Sequence, residues 1–426
     1  MNGRSSLPVA VDRPLSPFES YFAVTSATIW LTGEVSGPLD LGTLRRAWGL
    51  LCRAHSVLTA HLAPTRDDRS VVGLRGLRIV VPAVPAAAPI GRADDRVRTL
   101  GVDDPVAMLT VTDGDPALVA FAVHHSIADG RLAHYWYREL WSYYTDLVAG
   151  RAPAIRPRPV PDSPETLLAA HGIVRTALPP GRLERATPTA VASGRSVLPA
   201  RWQQIRLSAQ ETTGVLADAK RRGLTVHSLV AGAIAVVTRR FLPLGDDRAA
   251  EINVVSPVDI RTRLEPPVPV WAGTNILGMA NAVVAVRPCS DPVVIGSGVT
   301  GQLAEDLAAG VIHQSFLHMA DTVDRPRPLV PRTIATNLGV VAPIPTPEGT
   351  AVVALRHSLR FDWAPVVAMM AASGYRDHPL LRTSVHMIHT YRGQLVIDFT
   401  AALPGGPAEQ YGDELAKVLR GTSGPA

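Results

Sequence analysis

The sharpest change of hydrophobic period along the chain falls between Pro116 and Tyr143. Ala117 to Val123 is a continuous apolar run, entered through the turn residues Asp113-Gly114-Asp115-Pro116. A short apolar run bounded by turn residues predicts a fully buried strand. From Leu132 onward the spacing is helical, through Tyr135, Trp136, Glu139, Leu140 and Tyr143. His124-His125 and Asp129-Gly130 lie where the buried strand turns into the helix. Loops held on a rigid scaffold are where catalytic residues concentrate.

Upstream, Ser16-Pro17-Phe18-Glu19 predicts a short helix with Ser16 as its cap, Pro17 at its first position and Glu19 as the reciprocal partner. Ser26 to Leu31 reads as a strand. Asp40 caps a helix with apolar positions Leu41, Leu44, Ala47, Trp48 and Leu51, and Val57 near its end. Weak strands follow around Leu77 to Val81 and Ala107 to Val111. Prolines crowd Arg151 to Pro164 and recur at Pro179-Pro180, Pro188 and Pro199, which predicts a surface linker with one short helix around Glu165 to His171.

The second half opens with a strand at Trp202 to Leu207. Ser208 caps a helix through Arg222, stopped by Gly223. Thr225 begins a helix, Val226 to Phe241, that is apolar nearly all round and therefore buried. Strands are expected at Glu251 to Pro257, Asn281 to Val286, Thr333 to Val340, Val352 to Leu359, Arg382 to Thr390 and Gln394 to Thr400. Helices are expected at Gly301 to His318 and from about Pro407 to Leu419. Strands and helices mixed in this way predict an α/β layer fold. The expected division is residues 1–175, a linker at 176–200, and residues 201–426, with no clear internal repeat.

Composition narrows this picture. The 426 residues, 46% of them hydrophobic, suffice for two domains of ordinary size with a large core. Cys52 and Cys289 are the only cysteines, so neither a disulfide framework nor a cysteine metal cluster is expected. The N-terminal segment lacks the apolar core of a signal peptide. The longest apolar runs are about half of a membrane span. A soluble cytoplasmic protein without an integral membrane segment is expected. The net charge of +5 comes almost wholly from arginine, Lys220 and Lys417 being the only lysines. A GC-rich coding genome accounts for it, as does attraction to an acidic partner such as CoA phosphates or a carrier protein. No basic run interleaved with aromatics points to nucleic acid.

Side chains alternate faces along a strand, so a strand that persists through both histidines presents only one of them to a cavity. That argues against a shared metal site and for one working histidine and one structural one. The plainer alternative is two core histidines with Asp129 as a helix cap. His313 and His318, roughly 140° apart on a helix, do not chelate one ion. His386 and His389 lie on opposite faces of a strand. No metal site is expected. No HExxH, GxSxG or P-loop motif occurs, and no dinucleotide glycine fingerprint follows a strand.

HHSIADG at His124–Gly130 resembles the HHxxxDG signature of CoA- and carrier-dependent acyltransferases: non-ribosomal peptide condensation domains, plant acyl-CoA transferases and chloramphenicol acetyltransferase. The resemblance implies that His125 is the general base, with His124 and Gly130 as supporting motif residues, and that Asp129 is structural and pairs with a distant arginine. PVDIR at 257–261 resembles the PVDLR segment that supplies this arginine, which implies an Asp129–Arg261 salt bridge. GTNILG at 273–278 and TNLG at 336–339 resemble crossover and active-site-lining strands. Thr336 and Asn337 are thereby candidates to face a developing oxyanion or line a tunnel. LAAGVIHQSFLH resembles a helix of the mycobacterial polyketide-associated acyltransferases that esterify phthiocerol-type lipids, a resemblance that covers the whole chain. Arg53 to Leu58 loosely resembles the RHPxLR helix end, with Ala54, Ser56 and Thr59 departing from it, and His55 there reads as structural. The plant-type DFGWG segment is absent.

The resemblance implies two chloramphenicol-acetyltransferase-like α/β sandwich halves, forming a V-shaped pseudo-dimer with a tunnel between them. It further implies an actinobacterial enzyme of secondary metabolism, monomeric and without a bound cofactor. Its co-substrate is an acyl-CoA or a phosphopantetheinyl carrier protein, possibly of a polyketide synthase, and its acceptor a hydroxyl of a polyketide or lipid. His125 removes the acceptor's proton and no covalent intermediate forms. The alternatives are a stand-alone condensation domain forming amides and a non-catalytic module that recruits a carrier protein.

Overall fold

Three sheets organise the described residues. The computed structural model describes residues 9–65, 76–83, 90–91, 98–102, 104–178, 202–319, 331–365, 368, 383–401 and 407–421. Strands β1 (Val9–Pro14), β3 (His61–Pro64) and β4 (Leu77–Pro82) form a small antiparallel sheet in the order β1-β4-β3. The first large sheet runs β12-β2-β7-β6-β5, built from β2 (Thr28–Ser36), β5 (Ile90–Gly91), β6 (Ala107–Thr112), β7 (Ala117–His124) and β12 (Ala351–Arg360). The second runs β10-β9-β11-β13-β14-β8, from β8 (Gln203–Arg206), β9 (Ala250–Asp259), β10 (Leu277–Val286), β11 (Arg332–Val341), β13 (Thr383–Tyr391) and β14 (Gln394–Thr400). It is mixed: β9, β11 and β13 are parallel neighbours, and the remaining pairs are antiparallel.

The strand signals hold because each apolar run meets a buried face. β7 has seven of its eight residues buried, as its unbroken apolar run demands. β12 comes from the last third of the chain, yet it pairs with β2 of the first sheet, Leu355 opposite Gly33. It thereby crosses from one half to the other.

Helix ends follow their caps. Helix α1 (Pro17–Ala23) carries the complete reciprocal box of Ser16 and Glu19. In α2 (Leu41–Ala54) the Asp40 carboxylate accepts from Thr43 N–H, and Val57 lies beyond the helix in a short 3-10 turn. Helices α3 (Gly130–Val148) and α4 (Pro164–Ala170) start at Asp129 and Ser163. Ser208 and Glu211 box the start of α5 (Ala209–Arg221), and Thr225 caps the buried α6 (Val226–Arg240). The single helix expected at 301–318 is instead two, α7 (Pro292–Ala308) and α8 (Val311–Leu317). Gly310 separates them with φ +68, a left-handed conformation that ends a helix. The chain closes with α9 (Ala408–Gly421).

One apolar core runs from α1, α2, α3 and the first sheet into Ile260, Ile276, Phe316 and Met387 of the second half. A second surrounds α6 between the six-stranded sheet and α9. The linker expected at 176–200 lies mostly outside the described residues.

Candidate active site

β7 ends at His124, and His125 is the first residue of the turn into α3. The two imidazoles part there. His124 is 1% exposed, and its Nδ1 accepts from Ser126 N–H at 3.1 Å. Burial pushes it down to about 3, so it is a neutral packing group. His125 instead lines a cavity, its ring held against Phe22 with centroids 4.2 Å apart.

The His125 tautomer follows from its partners. Nδ1 lies 2.8 Å from the Ala128 carbonyl, which can only accept, so Nδ1 carries the proton and donates. The lone pair is then on Nε2. The Asn275 amide lies 3.1 Å from Nδ1, but with that proton in place its productive bond is to the His125 carbonyl, at 3.3 Å. Burial lowers the His125 pKa, opposed by the Ala128 bond and the charge of Asp129. The ring is therefore a neutral base at neutral pH.

Asp129 both caps α3 and pairs with a distant arginine. Its Oδ1 accepts from Leu132 N–H at 3.0 Å, and its Oδ2 from Ile276 N–H at 3.0 Å and Arg261 Nη2 at 2.7 Å. Both side chains are almost fully buried. Arg261 also donates to Asp259 Oδ1 at 3.2 Å, and Arg131 reaches Asp259 Oδ2 at 3.1 Å.

The GTNILG segment organises the site more than its sequence suggested. Thr274 Oγ1 donates to the buried Glu19 at 2.9 Å, Asn275 holds the His125 backbone, and Ile276 N–H binds Asp129. Three consecutive residues of the second half thus fix three polar groups of the first. Asn275, 0% exposed, is not among the site residues expected from the sequence. The signal was an Asn-Ile pair between two glycines, where an amide is costly to bury without a partner.

The cavity is lined by Ile29 and Leu31 of β2, Met279 of β10, Leu338 of β11, and Val385 and Met387 of β13, so both large sheets contribute. Gly130, Thr336 and Asn337 also line it. A Cβ on Gly130 would stand 3.0 Å from Leu338 Cδ2, so a side chain there requires Leu338 to give way. Asn337 Oδ1 accepts from Gly339 N–H at 2.8 Å, within a β11 irregularity beside β13. His55 does not line the cavity, and its Nε2 meets Glu139 at 2.7 Å. His386 and His389 face opposite sides of β13, the first bonding Tyr411 and the second stacking edge-on to His357.

Buried neutral histidines make stability depend on pH. His124, His357 and His386 sit at about 3 and His389 at about 2. Unfolded imidazoles titrate at about 6.5, so below that value the unfolded chain binds more protons and stability falls with pH. Asp398, pushed up to about 6, opposes this as one carboxyl against four rings. The melting temperature at pH 5 is expected below that at pH 7. An equal or higher value at pH 5 would contradict neutral burial.

Comparison with known proteins places this geometry. A family model described as "Phthiocerol/phthiodiolone dimycocerosyl transferase C-terminus" matches residues 196–400. The phthiocerol/phthiodiolone dimycocerosyl transferase of Mycobacterium ulcerans is 30% identical over 364 residues, covering 81% of this chain and 85% of that protein. The Mycobacterium tuberculosis transferase of the same name is 30% identical over 362 residues, 80% of this chain and 84% of that one. Polyketide synthase associated protein 5 from M. tuberculosis superposes with a TM-score of 0.78 at 25% identity, over 98% of this chain and 99% of that one. The first condensation domain of the CDA synthetase superposes at 0.66 with 16% identity, over 97% of this chain and 98% of that one, and shares the fold. The fold is therefore the two-halved, chloramphenicol-acetyltransferase-like α/β pseudo-dimer.

Proposed function

From the premise that the chain belongs to the phthiocerol/phthiodiolone dimycocerosyl transferase family, we propose that it is an acyltransferase using His125 as general base to esterify a lipid or polyketide alcohol. The donor is an acyl thioester, of CoA or of a carrier protein. The observation that carries this reading is the His125 ring, whose Nδ1–H is committed to the Ala128 carbonyl while the ring borders a largely apolar cavity.

In the proposed reaction Nε2 accepts the hydroxyl proton as the alcohol oxygen attacks the thioester carbonyl. The tetrahedral intermediate collapses by breaking the C–S bond, and the departing thiolate takes up the proton from His125. No acyl-enzyme is needed. Much of the acceleration comes from holding both substrates in a near-attack geometry. Thr336 and Asn337, which also line the cavity, are proposed to face the developing oxyanion. The aliphatic lining suits an acyl chain or a lipid acceptor.

One chain supplies residues from both sheets to the cavity, which supports a monomer. No helix among the described residues is long and apolar enough to cross a membrane. The reading has the protein act in the cytoplasm, with the N-terminal and C-terminal halves joined by the segment at 176–200.

A panel of acyl-CoAs of increasing chain length tests the donor class through thiol release, with wild type beside His125→Ala. Release that depends on His125 and peaks at one length supports the reading. Release equal in the two proteins refutes it. The acid limb of kcat/KM gives a second test. Activity requires neutral His125, whose pKa burial holds below its ordinary value. The rate is therefore expected to rise with pH through a midpoint below about 6.5. A midpoint above 7 would contradict the neutral buried base.

A further inference from the structure

A second cluster of histidines lies on β12, β13 and α3, and His134 and His357 line the same cavity as His125. His357 of β12, His389 of β13 and Asp398 of β14 are 4%, 0% and 3% exposed. One ligand atom from each can be chosen so that all lie within 4.8 Å of one another. His357 Nδ1 stands 3.3 Å from Asp398 Oδ2, and His389 Nδ1 stands 3.9 Å from the same oxygen. Ligand atoms bound at about 2.0–2.2 Å to a tetrahedral ion stand about 3.3–3.5 Å apart. The observed spacing is thus close to that of three ligands on one ion before any side chain moves, with the fourth position left to water.

Two further features distinguish this set from a buried polar network. Neither ring nitrogen of His389 has a hydrogen-bond partner among the described residues, although the residue is fully buried. An unpaired buried polar group is costly, and a cation between His389 and Asp398 would satisfy it. Secondly, His134 of α3 places its Nε2 at 2.6 Å from His357 Nε2. One ring must donate a proton to the other. With an ion bound, that proton sits on His357 Nε2 and the lone pair of His357 is on Nδ1, facing Asp398; without one, Nδ1–H can instead donate to Asp398 Oδ2 at 3.3 Å. Metal-binding histidines characteristically donate their other N–H to such an outer partner.

We propose that His357, His389 and Asp398 bind a first-row divalent cation of the Zn²⁺ type, with His134 orienting His357. Two imidazoles and a carboxylate are a donor set such ions accept. Register explains why the ligands meet. Asp398 pairs opposite Met387 on β13, so His389 is its diagonal neighbour on the same sheet face. His357 arrives from β12, which belongs to the other large sheet. Asp398 already receives His357 N–H at 2.9 Å and Gln204 Nε2 at 2.8 Å, so its carboxylate is held in place. The ion would tie the two sheets together beside the cavity that His134 and His357 also line. Its role is structural, and the acyl transfer proposed above does not pass through it. No pair read along the sequence suggested the site, because its ligands come from three strands and the nearest two are nine positions apart.

The test uses the full chain without a histidine tag, stripped with EDTA and titrated with Co²⁺. The expected result is a visible d–d absorption band of tetrahedral type that saturates at one equivalent, with a rise in melting temperature. His389→Ala removes a ligand that makes no hydrogen bond among the described residues, so it should fold, and its Co²⁺ affinity should drop at least about tenfold. Asp398→Asn, which keeps the side-chain shape, should show the same loss. A wild type with no band and no thermal shift would overturn the proposal. So would a band of equal strength and affinity in His389→Ala. Both readouts are independent of acyl transfer, so neither outcome depends on the proposed activity.

Discussion

His125→Ala is expected to lower kcat for acyl transfer by about 10²–10⁴-fold, the range for losing a positioned general base. The variant should still unfold in one cooperative transition. The side chain makes one backbone hydrogen bond, to Ala128, and its loss costs about 1 kcal/mol. Neighbouring Phe22 and Asn275 keep their positions through contacts of their own, Phe22 in the apolar core and Asn275 on the His125 carbonyl, which alanine retains. A loss of rate without a loss of fold separates a base from a packing residue. His124→Ala provides the contrast. His124 is buried beneath the turn and does not line the cavity, so its loss should appear mainly in stability. Turnover unchanged in His125→Ala would remove the residue from the mechanism.

Arg261→Ala is expected to destabilise the protein by about 3–5 kcal/mol, because it leaves Asp129 charged, buried and without its cation. Asp129 is 0% exposed, and its remaining partners are the backbone amides of Leu132 and Ile276. The effect should reach the site as well. Ile276 is anchored on Asp129, and its neighbour Asn275 holds the His125 backbone, so kcat should fall with stability. Asp129→Asn retains a side chain that can cap α3 and should be the milder of the two variants. The double variant Asp129→Asn with Arg261→Ala should lose less than the sum of the single losses, since removing the pair together leaves neither charge without its partner. Urea unfolding measures all of this. A fully stable Arg261→Ala, or strict additivity in the cycle, would contradict the buried pair.

How much of this was legible in the sequence differs by kind of interaction. Local signals carried far. Ser16 and Glu19 form the box their spacing predicts, and the apolar run at 117–123 is the buried strand at the centre of its sheet. The HHxxxDG and PVDIR segments led to a pairing across more than a hundred residues, and Asp129 and Arg261 do meet at 2.7 Å. The helix expected at 301–318 failed locally, because both sides of Gly310 are good helix and only its backbone φ separates them. Long-range choices left no local trace. Nothing in Ala354-Leu355-Arg356-His357 says which sheet the strand joins, since an alternating strand fits either edge. The role of Asn275 and the meeting of His357 with His389 and Asp398 depend on that choice, so both appear only in three dimensions.

The most direct test of the central claim is a single reaction followed by mass spectrometry. The purified chain is given a long-chain acyl-CoA and a long-chain alcohol, and both the small-molecule products and the intact protein are weighed during turnover. The account predicts an ester, free CoA in equal amount, protein of unchanged mass, and no ester from His125→Ala. Ester formed equally by His125→Ala, or protein that gains the acyl mass before the ester appears, would contradict direct transfer with His125 as the base.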